Sequence, residues 1–187
     1  MRAVLTIAHL TLAEARRRRI LAAALLLGAA FVLLFGVGFH FIARDIRTHG
    51  SPAQQRFMMS FVVMAALYAA NFLIVMTSVL ITVDTLAGEI GSGVIETLCT
   101  KPVPRWAVAL GKWLGCWAIL AMYATLLCGG VLLVARLVGG YTPPNAARGL
   151  PLLLLEGTVL LTLALLGGTR LSTLANGVTV FGLYGLA

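Results

Sequence analysis

Four long apolar stretches divide the 187-residue chain, at residues 20–43, 57–83, 113–135 and 149–169. An α-helix needs about 20 predominantly apolar residues to cross the hydrocarbon layer of a bilayer, and each stretch reaches that length. Charged and turn-forming residues fill the segments between them. The pattern predicts four transmembrane helices joined by polar connections.

A fifth apolar stretch, residues 171–187, follows a polar turn at Thr169 and Arg170. As a helix it would reach about 25 Å, which is short for a full crossing. We interpret it as a partial span. Two explanations fit, a short or re-entrant terminal segment or a chain truncated at its C-terminus, and we favour truncation.

Residues 1–19 have the pattern of an amphipathic helix. Polar and apolar side chains recur on different sides at helical spacing, the polar set being Arg2, Thr6, His9 and Arg16 and the apolar set Val4, Ala8, Leu12 and Ala15. Such a helix lies in the membrane interface with its apolar side towards the lipid. The four arginines at 16–19 then sit at the lipid headgroups.

Composition and charge agree with a single-domain, all-α, polytopic membrane protein. Sixty per cent of the residues are hydrophobic and 11% are charged. The net charge of +8 comes from cations at the ends of apolar stretches, so we expect membrane lipids and not nucleic acid as partners.

The distribution of lysine and arginine predicts the orientation. With the N-terminus in the cytoplasm, nine cations face inwards, namely Arg2, Arg16, Arg17, Arg18, Arg19, Lys101, Arg105, Lys112 and Arg170. Five face outwards, namely Arg44, Arg47, Arg56, Arg136 and Arg148. The positive-inside rule therefore predicts a multi-pass protein of the inner (plasma) membrane with a cytoplasmic N-terminus.

This orientation places the polar segment 84–112, between the second and third spans, in the cytoplasm. Gly88, Gly91 and Gly93 weaken a continuous helix. Ser92 is a suitable N-cap for a new short helix over Val94–Thr100. The segment could equally be an ordinary solvated loop.

Charges and a proline define the end of this short helix. Pro102 terminates it, because the residue before proline avoids the α conformation. Lys101 and Arg105 return the chain to the headgroups, while Glu89 and Glu96 share one helical face that a soluble partner could contact. The nearby pair Gly111 and Gly115, at i and i+4, would permit close helix contact.

A family resemblance rests on this segment. The string Glu89-x-x-Ser92-Gly93-x-x-x-x-Leu98-x-x-x-Pro102-Val103-x-Arg105, followed by Gly111-Lys112, resembles the segment after the second span in permease subunits of type-2 ABC exporters. The N-terminal interfacial helix and the order of the spans extend the resemblance over nearly the whole chain.

The resemblance implies a six-helix permease, of which about five helices are present here. Two permease copies, here a homodimer, form the pore, and a separate ATP-binding subunit lies beneath each copy. Segment 84–112 then supplies the coupling helix. The implied docking residues are Gly93, Val94, Glu96, Thr97 and Leu98, with Val94 where the family often has threonine.

Two polar side chains interrupt the apolar stretches. Glu156 lies in the fourth span and Asn71 in the second. An intramembrane carboxylate is costly, so we consider a substrate or proton pathway for Glu156. A structural hydrogen bond is the alternative, and Asn71 suits hydrogen bonding between helices.

The chain shows no cofactor or catalytic motif. Gly111-Lys112 is preceded by Trp106 and followed by Trp113, where a phosphate-binding loop needs glycine and Ser or Thr. We therefore expect ATP and Mg²⁺ in the partner subunit and none in this chain. Neither the cysteines nor the cluster of His40, His49, Met58 and Met59 has metal-ligand spacing. We predict no metal site.

Three functions remain at this stage. The first is the permease subunit of an ATP-driven transporter, which is not itself an enzyme. The second is a non-transporting structural or interaction protein, or an inactive permease fragment. The third is a membrane-embedded enzyme that uses Glu156, for which no partner acid, base or metal set is visible.

Overall fold

The computed structural model describes residues 2–17, 19–49, 51–91 and 104–186. Every regular element in these residues is a helix, and none is a strand. The helices are α1 (Arg2–Arg17), α2 (Arg19–His49), α3 (Pro52–Gly91), α4 (Arg105–Gly139), α5 (Ala146–Gly167) and α6 (Thr173–Leu186). The predicted all-α class is confirmed.

Four of the helices are long and apolar enough to cross a membrane. The crossing segments are Leu21–Ile46, Ala53–Thr82, Trp106–Gly139 and Arg148–Gly167. They correspond to the four predicted spans, so the polytopic architecture is confirmed. The partial span at 171–187 is α6, a 14-residue apolar helix.

The first outer connection is much shorter than predicted. We expected a polar loop over residues 44–56, but α2 continues to His49 and α3 begins at Pro52. Thr48 Oγ1 donates to the carbonyl oxygens of Arg44 and Asp45 at 3.2 and 2.8 Å. Ser51 Oγ accepts from the Gln54 N–H at 3.4 Å, and proline suits a first helical position. Polar sequence here marks helix ends in the headgroup region.

The central helix is α4, which packs against α1, α2, α3 and α5. Its buried face recurs every four residues, at Ile119, Tyr123, Leu127 and Val131, all fully buried. This helix begins at Arg105 and not at 113 as the cation at Lys112 suggested. Lys112 lies within the bundle at 3% exposure, so it does not mark the end of the span.

Helix directions alternate as four consecutive crossings require. Gly28 of α2 lies against Tyr123 of α4, and Gly139 of α4 lies against Phe39 of α2. Later residues of α2 therefore contact later residues of α4, which means that the first and third spans are parallel. A left-handed Gly140, with φ 63°, then ends α4 and donates its N–H to Arg136 O at 3.2 Å.

The amphipathic α1 docks on α4 through the two glycines. A Cβ added at Gly111 would lie 2.7 Å from Ile7 Cβ, and one added at Gly115 would lie 2.7 Å from Thr11 Cβ. The predicted close approach at this pair is confirmed, with α1 as the partner. We expected the apolar set to face lipid. Val4 and Ala8 approach α4 through their backbone carbonyls and Leu12 is 39% exposed, so the lipid-facing side of α1 stays a prediction.

Candidate functional site

Most of the predicted docking residues lie outside the described part of the chain. These are Ser92, Gly93, Val94, Glu96, Thr97, Leu98, Lys101 and Pro102. Glu89 falls within α3 and Arg105 begins α4. The side chains of these two residues are outside the described part of the structure. The coupling helix over 94–100 therefore stays a prediction.

The structure does describe the two helices that flank this segment. We expected Gly88 to weaken the helix, but α3 continues through it to Gly91. The predicted span ends at residue 83, and α3 continues for eight more residues to Gly91, about 12 Å at 1.5 Å per residue. The predicted segment 84–112 thus begins as an extension of the second span and ends within the helix of the third.

Inside the membrane-spanning region, α3, α5 and α6 meet at one polar cluster. Asn71 Nδ2 donates to both carboxylate oxygens of Glu156, at 3.3 and 3.4 Å. Tyr184 Oη lies 3.5 Å from the same amide nitrogen. All three side chains are half-buried. The structure brings together the two intramembrane residues that the sequence singled out and adds Tyr184, which sequence reasoning missed.

Tyr184 joins the cluster because α5 and α6 form an antiparallel hairpin. Asn176 near the start of α6 donates from Nδ2 to Ala164 O at 2.7 Å and is fully buried. Two helical turns later Tyr184 is level with Glu156, two turns before Ala164 on α5. The sequence signal that could have pointed to Tyr184 was a tyrosine hydroxyl near the end of an apolar helix, because such a group needs a hydrogen-bond partner.

A small residue next to Glu156 lets the helices approach. Gly157 lies against Leu120 of α4, where an added Cβ would be 3.0 Å from a leucine methyl carbon. Its carbonyl oxygen accepts from Ser78 Oγ of α3 at 3.3 Å. Glu156 is thereby held at the α3–α5 contact with its carboxylate directed to Asn71.

The amide of Asn71 offers both donor and acceptor atoms to the carboxyl group of Glu156. An ionised Glu156 accepts from the Asn71 N–H groups, as observed. The Oδ1 atom of Asn71 is buried and has no hydrogen-bond partner among the described residues. The amide therefore keeps an acceptor atom available inside the bundle.

No metal-binding arrangement emerges in the described ranges. Within them, no three His, Cys, Asp or Glu side chains come together as a ligand group. His40 lies on α2 and Met59 is buried against Gly139 of α4. The polar cluster itself consists of one carboxylate, one amide and one phenol group.

Fold and site define a multi-span helical membrane protein with an ionisable group inside its bundle. The family model described as "ABC-2 family transporter protein" matches residues 5–182, and the chain belongs to this family. It is a multi-pass membrane permease of the type-2 ABC transporter class. The match runs from α1 to α6. No curated protein matches the chain.

Proposed function

We propose that this chain is the membrane-spanning subunit of an ATP-driven transporter in which a separate subunit hydrolyses ATP. The family match from α1 to α6, over four helices that can cross the bilayer, carries this proposal. The ATP and Mg²⁺ belong to the partner subunit in this scheme. The chain itself contributes the pathway and the surface on which the partner acts.

The partner acts on the segment between α3 and α4. Because α3 is one continuous helix from Pro52 to Gly91, a force on this segment reaches the middle of the bundle through that helix. Residues 94–100 form the coupling helix in this scheme, with Glu96 on the docking surface. Closure of the ATP-binding subunits then biases the bundle between inward- and outward-open states.

The moving helix carries one member of the polar cluster. Asn71 lies on α3, whereas Glu156 lies on α5. A shift of α3 relative to α5 alters the 3.3 Å contact between them and changes the environment of the carboxyl group. In this scheme Glu156 and Asn71 belong to the substrate or proton pathway, a role that is common for intramembrane ionisable groups.

The charge distribution and the family support a proposed arrangement in the cell. The N-terminus and the coupling segment face the cytoplasm, the protein resides in the inner membrane, and two copies assemble around the pathway.

Purification tests the proposal. The full chain is expressed in its own host with an affinity tag, extracted in a mild detergent and analysed by mass spectrometry for co-purifying proteins. We expect a soluble ATP-binding ABC subunit in near-equimolar amount, with vanadate-sensitive ATP hydrolysis. Recovery of the chain without any ATP-hydrolysing protein, in a preparation that retains its fold, would contradict the scheme.

A further inference from the structure

Helices α2 and α4 leave an open cleft at the lipid-facing surface. One part of the cleft, towards the middle of α2, is lined by apolar groups that include Gly36, Val37, Val134 and Val138. This apolar part has a volume of about 410 Å³. Gly36 has no side chain, which leaves room for about one methyl group in front of Val134. A Cβ there would be 3.7 Å from the valine methyl carbon.

The same cleft ends in a cationic region. A second cavity of about 400 Å³ shares His40 and Val138 with the apolar part and continues along α2 to Arg44 and Thr48. His40, Arg44 and Thr48 follow one another at i, i+4 and i+8, so they lie along one face of the helix. All three side chains are exposed. The cleft is therefore apolar at one end and carries cationic and polar groups at the other.

The dimensions of this α2–α4 cleft match one leaflet of a bilayer. The uncharged stretch of α2 lies between Arg19 and Arg44, so Leu33, which lines the apolar part, is close to its midpoint. From Leu33 to Thr48 the helix rises about 22 Å. Half of a bilayer including its headgroups is also about 20–22 Å. The apolar part thus lies at acyl-chain depth, and Arg44 lies at phosphate depth.

We propose that the α2–α4 cleft is a binding site for one phospholipid with an anionic headgroup. The phosphate lies beside His40 and Arg44, and one acyl chain occupies the groove over Gly36 and Val134. Charge complementarity selects the headgroup, because each basic side chain at a membrane surface favours anionic lipid. The lipid fills the space between the peripheral α2 and the central α4 and so stabilises their contact.

Lipid retention by the full-length protein tests the site. The protein is purified in detergent, incubated with equimolar phosphatidylglycerol and phosphatidylcholine of the same chain length, and analysed by native mass spectrometry. We expect preferential retention of phosphatidylglycerol. Arg44→Gln should lower that retention roughly fivefold, the ratio that corresponds to one basic side chain. His40→Gln should lower it as well.

Two matched controls separate the cleft from the general surface. Arg56→Gln removes an exposed cation from α3 at the same end of the bundle, and it should leave retention unchanged. Gly36→Leu fills the apolar part and should lower retention of both lipids. Gly38→Leu adds the same bulk to an open position of α2 outside the cleft and should not.

Three results would overturn the proposal. Equal losses in Arg44→Gln and Arg56→Gln would indicate unspecific surface charge. Equally tight binding of glycerol phosphate, which has no acyl chains, would indicate a free-anion site. A change of oligomer mass in Arg44→Gln with unchanged lipid retention would assign the cleft to a second copy of the chain.

Discussion

The indole nitrogen of Trp117 donates a hydrogen bond of 3.0 Å to the hydroxyl oxygen of Thr158. One helical turn away, Trp113 makes the same bond to Thr162 at 3.1 Å. Each threonine hydroxyl also donates to a carbonyl four residues earlier, those of Leu154 and Thr158. These bonds join α4 and α5 without leaving an indole N–H unpaired in the membrane interior.

This relationship predicts the effect of removing the bond without removing the ring. Trp117→Phe and Thr158→Val should each destabilise the bundle, and a double-mutant cycle should give a coupling free energy of about 0.6 kcal/mol and at most about 1.7 kcal/mol. Unfolding in mixed detergent micelles measures these values. Trp106→Phe is the control, because Trp106 is 60% exposed. Zero coupling would mean that the contact contributes packing alone.

The docking of α1 predicts an asymmetry among glycines of α4. Gly115→Ala places a methyl group against Thr11 and should cost about 1–3 kcal/mol through overpacking. Gly129→Ala meets nothing within 4 Å and should be neutral or slightly stabilising. Thermal unfolding ranks the two, and amide hydrogen exchange over α1 locates the change. Unaltered exchange over α1 in Gly115→Ala would contradict the docked arrangement.

The α5–α6 hairpin depends on a fully buried amide. Asn176→Ala removes its hydrogen bond to Ala164 O and should destabilise α6 by about 0.5–1.5 kcal/mol. Thr179→Ala is a matched change at an exposed position of the same helix and should have little effect. Hydrogen exchange in α6 provides the measurement. Equal protection in both variants would show that the amide does not hold the hairpin.

The polar cluster predicts a separation of folding from transport. Glu156→Gln keeps the side-chain volume and can still hydrogen-bond with Asn71, so membrane insertion and thermal stability should be preserved. Transport should fall by about tenfold or more if the ionised group serves the pathway. Phe72→Leu, next to Asn71 on the exposed side of α3, is the control. Full transport by Glu156→Gln would restrict this residue to a structural role.

The coupling hypothesis predicts an uncoupled variant. Glu96→Lys should abolish substrate-stimulated ATP hydrolysis by the complex while the protein remains inserted in the membrane. Arg170→Glu makes a charge reversal of equal size in the exposed turn between α5 and α6, on the same predicted side, and should retain activity. Co-purification of the ATP-binding subunit and its hydrolysis rate are the readouts. If Glu96→Lys retained normal substrate-stimulated ATP hydrolysis, Glu96 would not belong to the docking surface.

The sequence alone predicted the four described helices that are long and apolar enough to cross a membrane, and their order. The reason is physical, since the thickness of the hydrocarbon layer sets the length of an apolar helix and every backbone group must be satisfied within it. Helix ends were less predictable. Residues 44–49 and 52–56 are polar yet helical, because the headgroup region accepts charged side chains on a continuing helix. Lys112 led to the opposite error. As a cation it suggested the end of a span, but it lies buried inside the bundle.

The polar cluster shows where sequence reasoning reached its limit. Glu156 and Asn71 were recognisable individually, because a polar side chain in an apolar stretch is conspicuous. Their pairing across 85 residues was not, and neither was the addition of Tyr184, 113 residues from Asn71. Hydropathy reports the depth of a residue in the bilayer and contains no information on which faces of two helices meet.

By itself, then, the sequence determined the helical class, the four spans and the residues that are costly to bury. Only the tertiary structure decided that Gly111 and Gly115 receive α1, that Trp117 bonds to Thr158 and that Asn71 reaches Glu156. The reason is that lipid tails solvate any apolar helix equally well. The choice of neighbours therefore comes from close packing at small residues and from a few directed hydrogen bonds, which exist only once the helices are assembled.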